Sequence, residues 1–362
     1  MIRKVGYILY YVAFIMTILL RLINQSLLIN IPSLYYRAFL IFSLGIFIYK
    51  IILDNHTLRE YLFIVLFLFI FVYISYITDT STFLTSYLAF IGIKDINIEK
   101  SIKCDYYTKK IFLIIHILAF AIEYVFNYSN ITNMILISGK GISYYLYFDN
   151  PNAVGTVWLC IILERLYLKN KITKKDYLLN FSSMFVCYFL TRCRTAFFIF
   201  IIYMILNLIK NRKILNFFTK FTYPIFTFIT FCIINYVNIN GILFKRINSL
   251  LSNRLSYSVS IYNYLHLNFL PNSNYYNFVS NVVVDNYYVK CFVFYGILTL
   301  ILLYIPKLLI KNKNYLKEKR LFIVYDIYLF FEAAPTDIAY TPQYLLLGNL
   351  IFNKKKLNNN RE

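Results

Sequence analysis

Long runs of apolar residues recur from one end of this chain to the other, among them Tyr61–Ile77 and Ile111–Phe126. Each is roughly 14–20 residues long, close to the ~20 that a helix needs to cross ~30 Å of hydrocarbon. Backbone in that environment must satisfy its own hydrogen bonds, which leaves helices and closed barrels. The period-2 alternation of a barrel strand does not recur, so the reading is helical. With 60% of the 362 residues hydrophobic and 15% charged, a soluble domain has nowhere to hide so much apolar side chain. The expected fold is an all-α polytopic integral membrane protein.

Helices are expected near 5–23, 34–49, 61–77, 80–93, 111–127, 153–168, 177–191, 195–209, 221–238, 287–305, 321–334 and 340–352. The fourth segment is short, and the basic residues decide whether it counts. With it present and the N-terminus cytoplasmic, 28 of the 37 Lys and Arg fall inside and 9 outside. Without it the split becomes 11 inside and 26 outside, against the positive-inside rule. Twelve spans in one transmembrane domain, 1–362, with both termini cytoplasmic, is therefore the expected topology. Arg3 and Lys4 precede an apolar stretch with no small-residue cleavage signal, which reads as a retained first helix. Outside lie two substantial loops, about 128–152 and 239–286, and the second is the larger.

The net charge of +21 is not a nucleic-acid signal, because the basic residues cluster in short loops between apolar runs, where orientation demands them. The clusters Lys169, Lys171, Lys174, Lys175 and Lys307, Lys311, Lys313, Lys317, Lys319, Arg320 read as solvated orientation signals. Six cysteines form no CxxC pair and have no neighbouring histidines, so no metal site is expected. No Gly-rich phosphate loop, GxSxG or DxD-like pair occurs, so no cofactor is expected either.

Charges on the outer face or inside apolar runs need another reason to be there. Thr191-Arg192-Cys193-Arg194-Thr195 places two arginines in a tight outer turn. They either snorkel to lipid headgroups or bind a phosphate group at the membrane surface. Arg254 follows Ser249-Leu250-Leu251-Ser252-Asn253 in the large loop, with Lys245 and Arg246 ahead of it. The same loop ends in Asp285-Asn286-Tyr287-Tyr288, a carboxylate at the lip of the tenth helix that is either a cap or a base. Asp149-Asn150-Pro151-Asn152 opens the sixth helix, with Asn150 or Asn152 as its cap. His266 is a second candidate base. Glu123, Asp326 and Glu332 are acids within apolar runs, with no paired relay at helical spacing.

Four of these segments, in order, resemble the oligosaccharide repeat-unit polymerases (Wzy type) of capsule and O-antigen synthesis, relatives of the O-antigen ligases. Asp149-Asn150-Pro151-Asn152-Ala153-Val154-Gly155 resembles the family's Gly-Asn-Pro-Asn stretch, and Leu190-Thr191-Arg192-Cys193-Arg194-Thr195-Ala196 its Ser-Arg-Thr-Ala turn. Leu250-Leu251-Ser252-Asn253-Arg254-Leu255 resembles Leu-Leu-Ser-Gly-Arg-Leu, and Asp285-Asn286-Tyr287-Tyr288 with Tyr295-Gly296-Ile297 resembles Asp-Asn-Ser-Tyr followed by Tyr-Gly-Ile. The chain departs from the pattern at Asp149, Cys193 and Asn253, none of which removes an arginine or the Asp285-Asn286 pair. In the ligases a His-Asn pair stands in that place, so Asp285 argues for polymerase.

The resemblance implies a metal-independent glycosyl transfer outside the bacterial cytoplasmic membrane. A glycan on undecaprenyl diphosphate would move to a hydroxyl of the next lipid-linked repeat unit, the lipid diphosphate leaving. Arg194 and Arg254 would hold the diphosphate and Asp285 would deprotonate the acceptor. Arg192, Asn150, Asn152, Asn286, Tyr288, Arg246 and His266 would line the substrate. Implied partners are the lipid-linked oligosaccharide, membrane lipid, and a flippase and chain-length regulator of the same pathway. A ligase-like glycosyltransferase and a lipid-linked oligosaccharide flippase or transporter are the alternatives. The latter would carry a two-fold repeat and a charged central cavity, and no repeat is visible.

Overall fold

The computed structural model describes residues 2–126, 135–138, 141–236, 241–250, 253–272, 284–309 and 315–352. Its elements, in chain order, are α1 (Ile2–Ile23), α2 (Ser33–Leu53), α3 (Leu58–Thr78), α4 (Thr82–Gly92), α5 (Ile98–Phe126), β1 (Ile135–Ser138), β2 (Gly141–Tyr144), α6 (Pro151–Leu168), α7 (Lys174–Thr191), α8 (Arg194–Leu208) and α9 (Arg212–Tyr236). There follow α10 (Ile242–Leu250), α11 (Arg254–Leu265), α12 (Tyr287–Lys290) running into a π turn (Cys291–Tyr295), α13 (Ile297–Leu308), α14 (Leu316–Phe331), two 3₁₀ turns and α15 (Gln343–Phe352).

Helix is present at each of the twelve expected segments, and among the described residues four stretches, beginning at Val5, Ser33, Leu58 and Arg212, are long and apolar enough to cross a membrane. The side chains agree with that use. Phe69, Leu62, Ile41 and Phe42 are all well exposed on α2 and α3, an arrangement stable only where the surroundings are apolar. α4, at 11 residues, rises only about 17 Å.

Local chemistry fixes several ends. Thr57 and Glu60 form a reciprocal capping box at α3, and Thr173 and Asp176 form one at α7. Asn150 accepts from the Ala153 N–H at 2.9 Å and Pro151 fills the first turn of α6. At the far end of α7, Arg192 takes a left-handed conformation at φ 53°, which lets α8 begin two residues later.

Three departures from the sequence reading have physical causes. α5 starts at Ile98, thirteen residues before the apolar run at 111. The added stretch is too polar for a hydropathy criterion, yet Ser101, Ile102, Asp105, Lys109, Phe112 and His116 recur at helical spacing and are all buried. The loop at about 128–152 contains a short antiparallel hairpin, β1 paired with β2. The tenth expected helix is broken at Gly296, whose φ of 82° only glycine holds at low cost. A Cβ there would stand 2.5 Å from the Phe269 carbonyl oxygen. The large-loop segment around Asn268 docks at the break, taking hydrogen bonds from Asn268 N–H to Phe292 O (2.9 Å) and from Ile297 N–H to Asn268 O (3.0 Å). Residues 273–283 of that loop lie outside the described residues.

The chain gathers into two compact units. Unit 1 comprises residues 1–55, 88–208 and 338–362, and unit 2 comprises 56–87 and 209–337. In unit 1, α1 packs on α2 and α5, α5 on α6, and α6 on α7 and α8. In unit 2, α9 packs on α14, α11, α12 and α13.

The expected topology predicts which residues a membrane-impermeant thiol reagent reaches in intact cells. Cys193 is unsuitable as a reporter, since it is 1% exposed and faces Gly155. Asn30 and Lys171 are both exposed and stand on opposite expected sides. Asn30→Cys should label and Lys171→Cys should not; the reverse pattern would invert the topology.

Candidate functional site

In unit 2 the fold draws two motif segments and a third, unforeseen one to a single guanidinium. Arg254 opens α11, Asp285 precedes α12, and Glu332 follows the last residue of α14. Arg254 Nε lies 2.8 Å from Asp285 Oδ2, and its Nη2 lies 2.8 Å from Glu332 Oε1. Its Nη1 donates to the Phe331 carbonyl at 2.8 Å. Each of the three guanidinium nitrogens has an oxygen at 2.8 Å, a spread of contacts that the single point of a lysine ammonium does not reproduce.

The two carboxylates differ in setting. Asp285 is 22% exposed and Glu332 8%. Glu332 sits just past the C-terminus of α14 with its N–H bonded to Tyr328 O at 2.8 Å. Beside Arg254 opens a recess of about 10 Å³ lined by Leu255, Ser258, Asn286, Phe330 and Phe331, room for a single water or hydroxyl.

The other sequence candidates fall in several places. Asn286 caps α12 by accepting from the Val289 N–H at 3.1 Å. Tyr288, expected at the substrate, is fully buried and donates its hydroxyl to the Asp326 carbonyl at 3.0 Å. An apolar ring following a cap points inward here because α12 is covered by both α9 and α14. Arg246 is exposed on α10. His266 is exposed at the far end of α11 from Arg254, twelve residues away, or about 18 Å of helix. Leu251 and Ser252 of the Arg254 motif lie outside the described residues.

In unit 1 the two remaining motif segments also meet. Gly155 of α6 packs so tightly on the turn between α7 and α8 that a Cβ would stand 2.6 Å from Cys193 Cβ and Sγ. Above this contact Arg192 stacks its guanidinium on Phe189 and Tyr188, at 5.3 and 5.9 Å from the ring centroids. Arg194 is exposed at the first position of α8. Asn150 is the cap of α6, and Asn152 is half-buried with its carbonyl accepting from Thr156 at 2.9 Å.

Buried charge away from these segments escaped the sequence reading. Lys109 of α5 lies 2.8 Å from Asp105 and 2.6 Å from Glu164 of α6, and all three are fully buried. Asp105 and Lys109 stand at i, i+4, a signal hidden in the polar start of α5. Lys307 and Lys319, expected in solvent, are also corrections. Lys307 pairs with Asp326 and sits 4.6 Å over the Tyr223 ring; Lys319 donates to Asn216. Arg320 donates to the Ile209 carbonyl at 2.9 Å. An ammonium on a long stem stays buried when a partner that is remote in sequence meets it. Lys311 and Lys313 lie outside the described residues.

No protein-family profile, characterised protein or solved structure matches the chain.

Proposed function

We propose that the chain is a metal-independent glycosyltransferase that joins undecaprenyl-diphosphate-linked oligosaccharide repeat units into capsular, O-antigen or exopolysaccharide chains. It would act at the outer face of the bacterial cytoplasmic membrane, supplied by a flippase and limited by a chain-length regulator. The observation that supports this most is the 2.8 Å contact between Arg254 and Asp285. These residues carry two separate motifs of the resemblance, and the fold sets them against each other beside a hydroxyl-sized recess.

The donor sugar on a lipid diphosphate is already activated, so the protein's tasks are to deprotonate the acceptor hydroxyl and to stabilise the departing diphosphate. The Arg254 cluster suits the first task. Its guanidinium fixes two carboxylates, one of which receives the proton. An incoming diphosphate would have to displace those carboxylates to reach Arg254; the resemblance assigns the leaving group to Arg194 as well.

Deleting the gene should collapse surface glycan to single repeat units and accumulate the lipid-linked unit. Restoring wild-type protein should return the polymer, and Arg194→Lys should restore far less of it than Arg192→Lys. Unchanged glycan length in the deletion strain removes the reading.

A further inference from the structure

Unit 2 also holds an apolar groove of about 330 Å³ between α9 and α13. Both of its walls are interrupted helices. Pro224 lies inside α9 and offers no N–H to the Lys220 carbonyl four residues earlier. The Tyr304 hydroxyl of α13 donates to that carbonyl instead, at 2.8 Å. On the other wall, Phe292 of the π turn and Ile297 of α13 flank the break at Gly296. Irregular backbone at membrane depth persists where it lines a cavity.

The walls offer carbon to an occupant. Their lining residues carry three hydroxyls, and each is turned to backbone: Tyr223 donates to the Leu300 carbonyl at 3.3 Å, Thr227 to the Tyr223 carbonyl at 2.9 Å, and Tyr304 to Lys220. A site for a functionalised small molecule aims a few polar groups at its ligand; this one suits a bare hydrocarbon chain. Phe228 and Ile301 on its rim are well exposed, so the groove opens sideways, toward lipid.

Charge stands at its Tyr223 end. Lys220 continues the groove-lining face of α9 by one turn, three residues before Tyr223, four before Pro224 and seven before Thr227. It lies about 4.5 Å of helix from Tyr223. Lys220 and Arg212 are close enough for their charges to act on Lys319 of α14, which is buried and donates to Asn216, one turn before Lys220. Arg320 ties the same two helix starts together through the Ile209 carbonyl. Residues 209–220 and 315–320 carry seven Lys or Arg against one acid, Glu318. Lys307, which sits over the Tyr223 ring, is already paired with Asp326. By the expected topology this end faces the cytoplasm, the side on which anionic headgroups gather and basic pockets between membrane helices bind them.

We propose that an anionic phospholipid of the cytoplasmic leaflet binds here, with one acyl chain in the groove and its phosphate between Lys220 and Lys319. The site stands apart from the glycosyl-transfer reading and holds whether or not that reading survives.

The test reconstitutes the full-length protein in vesicles of equal parts phosphatidylglycerol and phosphatidylcholine, with a photoactivatable diazirine on the acyl chain of one lipid or the other. Crosslinks to peptides spanning 221–231 and 292–304 are counted by mass spectrometry. At about 0.1 M salt the phosphatidylglycerol probe should label them on the order of tenfold more than the phosphatidylcholine probe, and the preference should shrink at about 1 M. Lys220→Gln should lower the preference about fivefold, and Lys220→Arg should keep it. Ile301→Trp and Thr227→Phe, which fill the groove from opposite walls, should each suppress labelling by both probes. Equal labelling by the two lipids, or a preference indifferent to Lys220→Gln, would mean that the groove holds bulk hydrocarbon and would overturn the proposal. Displacement of the phosphatidylglycerol probe by equimolar undecaprenyl diphosphate would overturn it too, giving the groove to a polyprenyl tail.

Discussion

Arg254→Lys should lower polymerisation by on the order of 10²-fold while the protein remains in the membrane at normal levels. The charge is kept, so the two carboxylates still have a counter-ion and folding has no large reason to fail. What is lost is the fork. A guanidinium reaches Asp285, Glu332 and the Phe331 carbonyl at once from three nitrogens, whereas an ammonium is a single point on a flexible stem. A base displaced by about 1 Å from the acceptor hydroxyl loses rate steeply. The measurement is elongation of lipid-linked units as a function of donor concentration. A positioning role lowers the turnover number with little change in the donor's KM; direct contact between Arg254 and the diphosphate raises KM instead. Wild-type turnover in Arg254→Lys would show that the fork is unnecessary and that Arg254 serves only as a charge.

Lys109→Met should destabilise the folded protein by about 3–5 kcal/mol, the largest structural effect expected of any single substitution here. The ammonium lies against Asp105 at 2.8 Å and Glu164 at 2.6 Å, with all three side chains fully buried. Methionine fills much the same volume, so packing is nearly conserved and the cost comes from two carboxylates left in a dry interior without their cation. Thermal unfolding of the detergent-purified protein and its yield in the membrane report the loss. Combining Lys109→Met with Asp105→Asn and Glu164→Gln should recover most of it, since replacing a buried ion group whole is far less costly than breaking it. A Lys109→Met protein as stable as the wild type would mean that the triad is solvated or that its carboxylates are already neutral.

Legibility from sequence divided along physical lines. Hydropathy is a sum over neighbouring residues, so the apolar runs located helices at all twelve segments without knowledge of the fold. Caps are equally local: Thr57 with Glu60, Thr173 with Asp176, and Asn150 ahead of Pro151 sit where a four-residue pattern puts them. Arg254 and Asp285 stood out because charge on the expected outer face or at a helix lip is scarce in such a chain. Their shared contact could not be read, since nothing local links residue 254 to residue 285.

What the sequence by itself determined is the membrane character, the placement of the helices and their local caps. These follow from solvent preference and from hydrogen bonds spanning a turn or less. Only the tertiary structure decided which charges are paired and which helix ends meet. Glu332 read as one acid in an apolar run until α14 brought it to Arg254, whose partner Phe331 is 77 residues away in the chain. Lys307 read as an orientation signal until α13 set it against Asp326, and Tyr288 as a substrate contact until α9 and α14 covered it. The energy of a buried charge is set by the few ångströms around it, and in a helical membrane protein those are filled by whichever distant helix packs there.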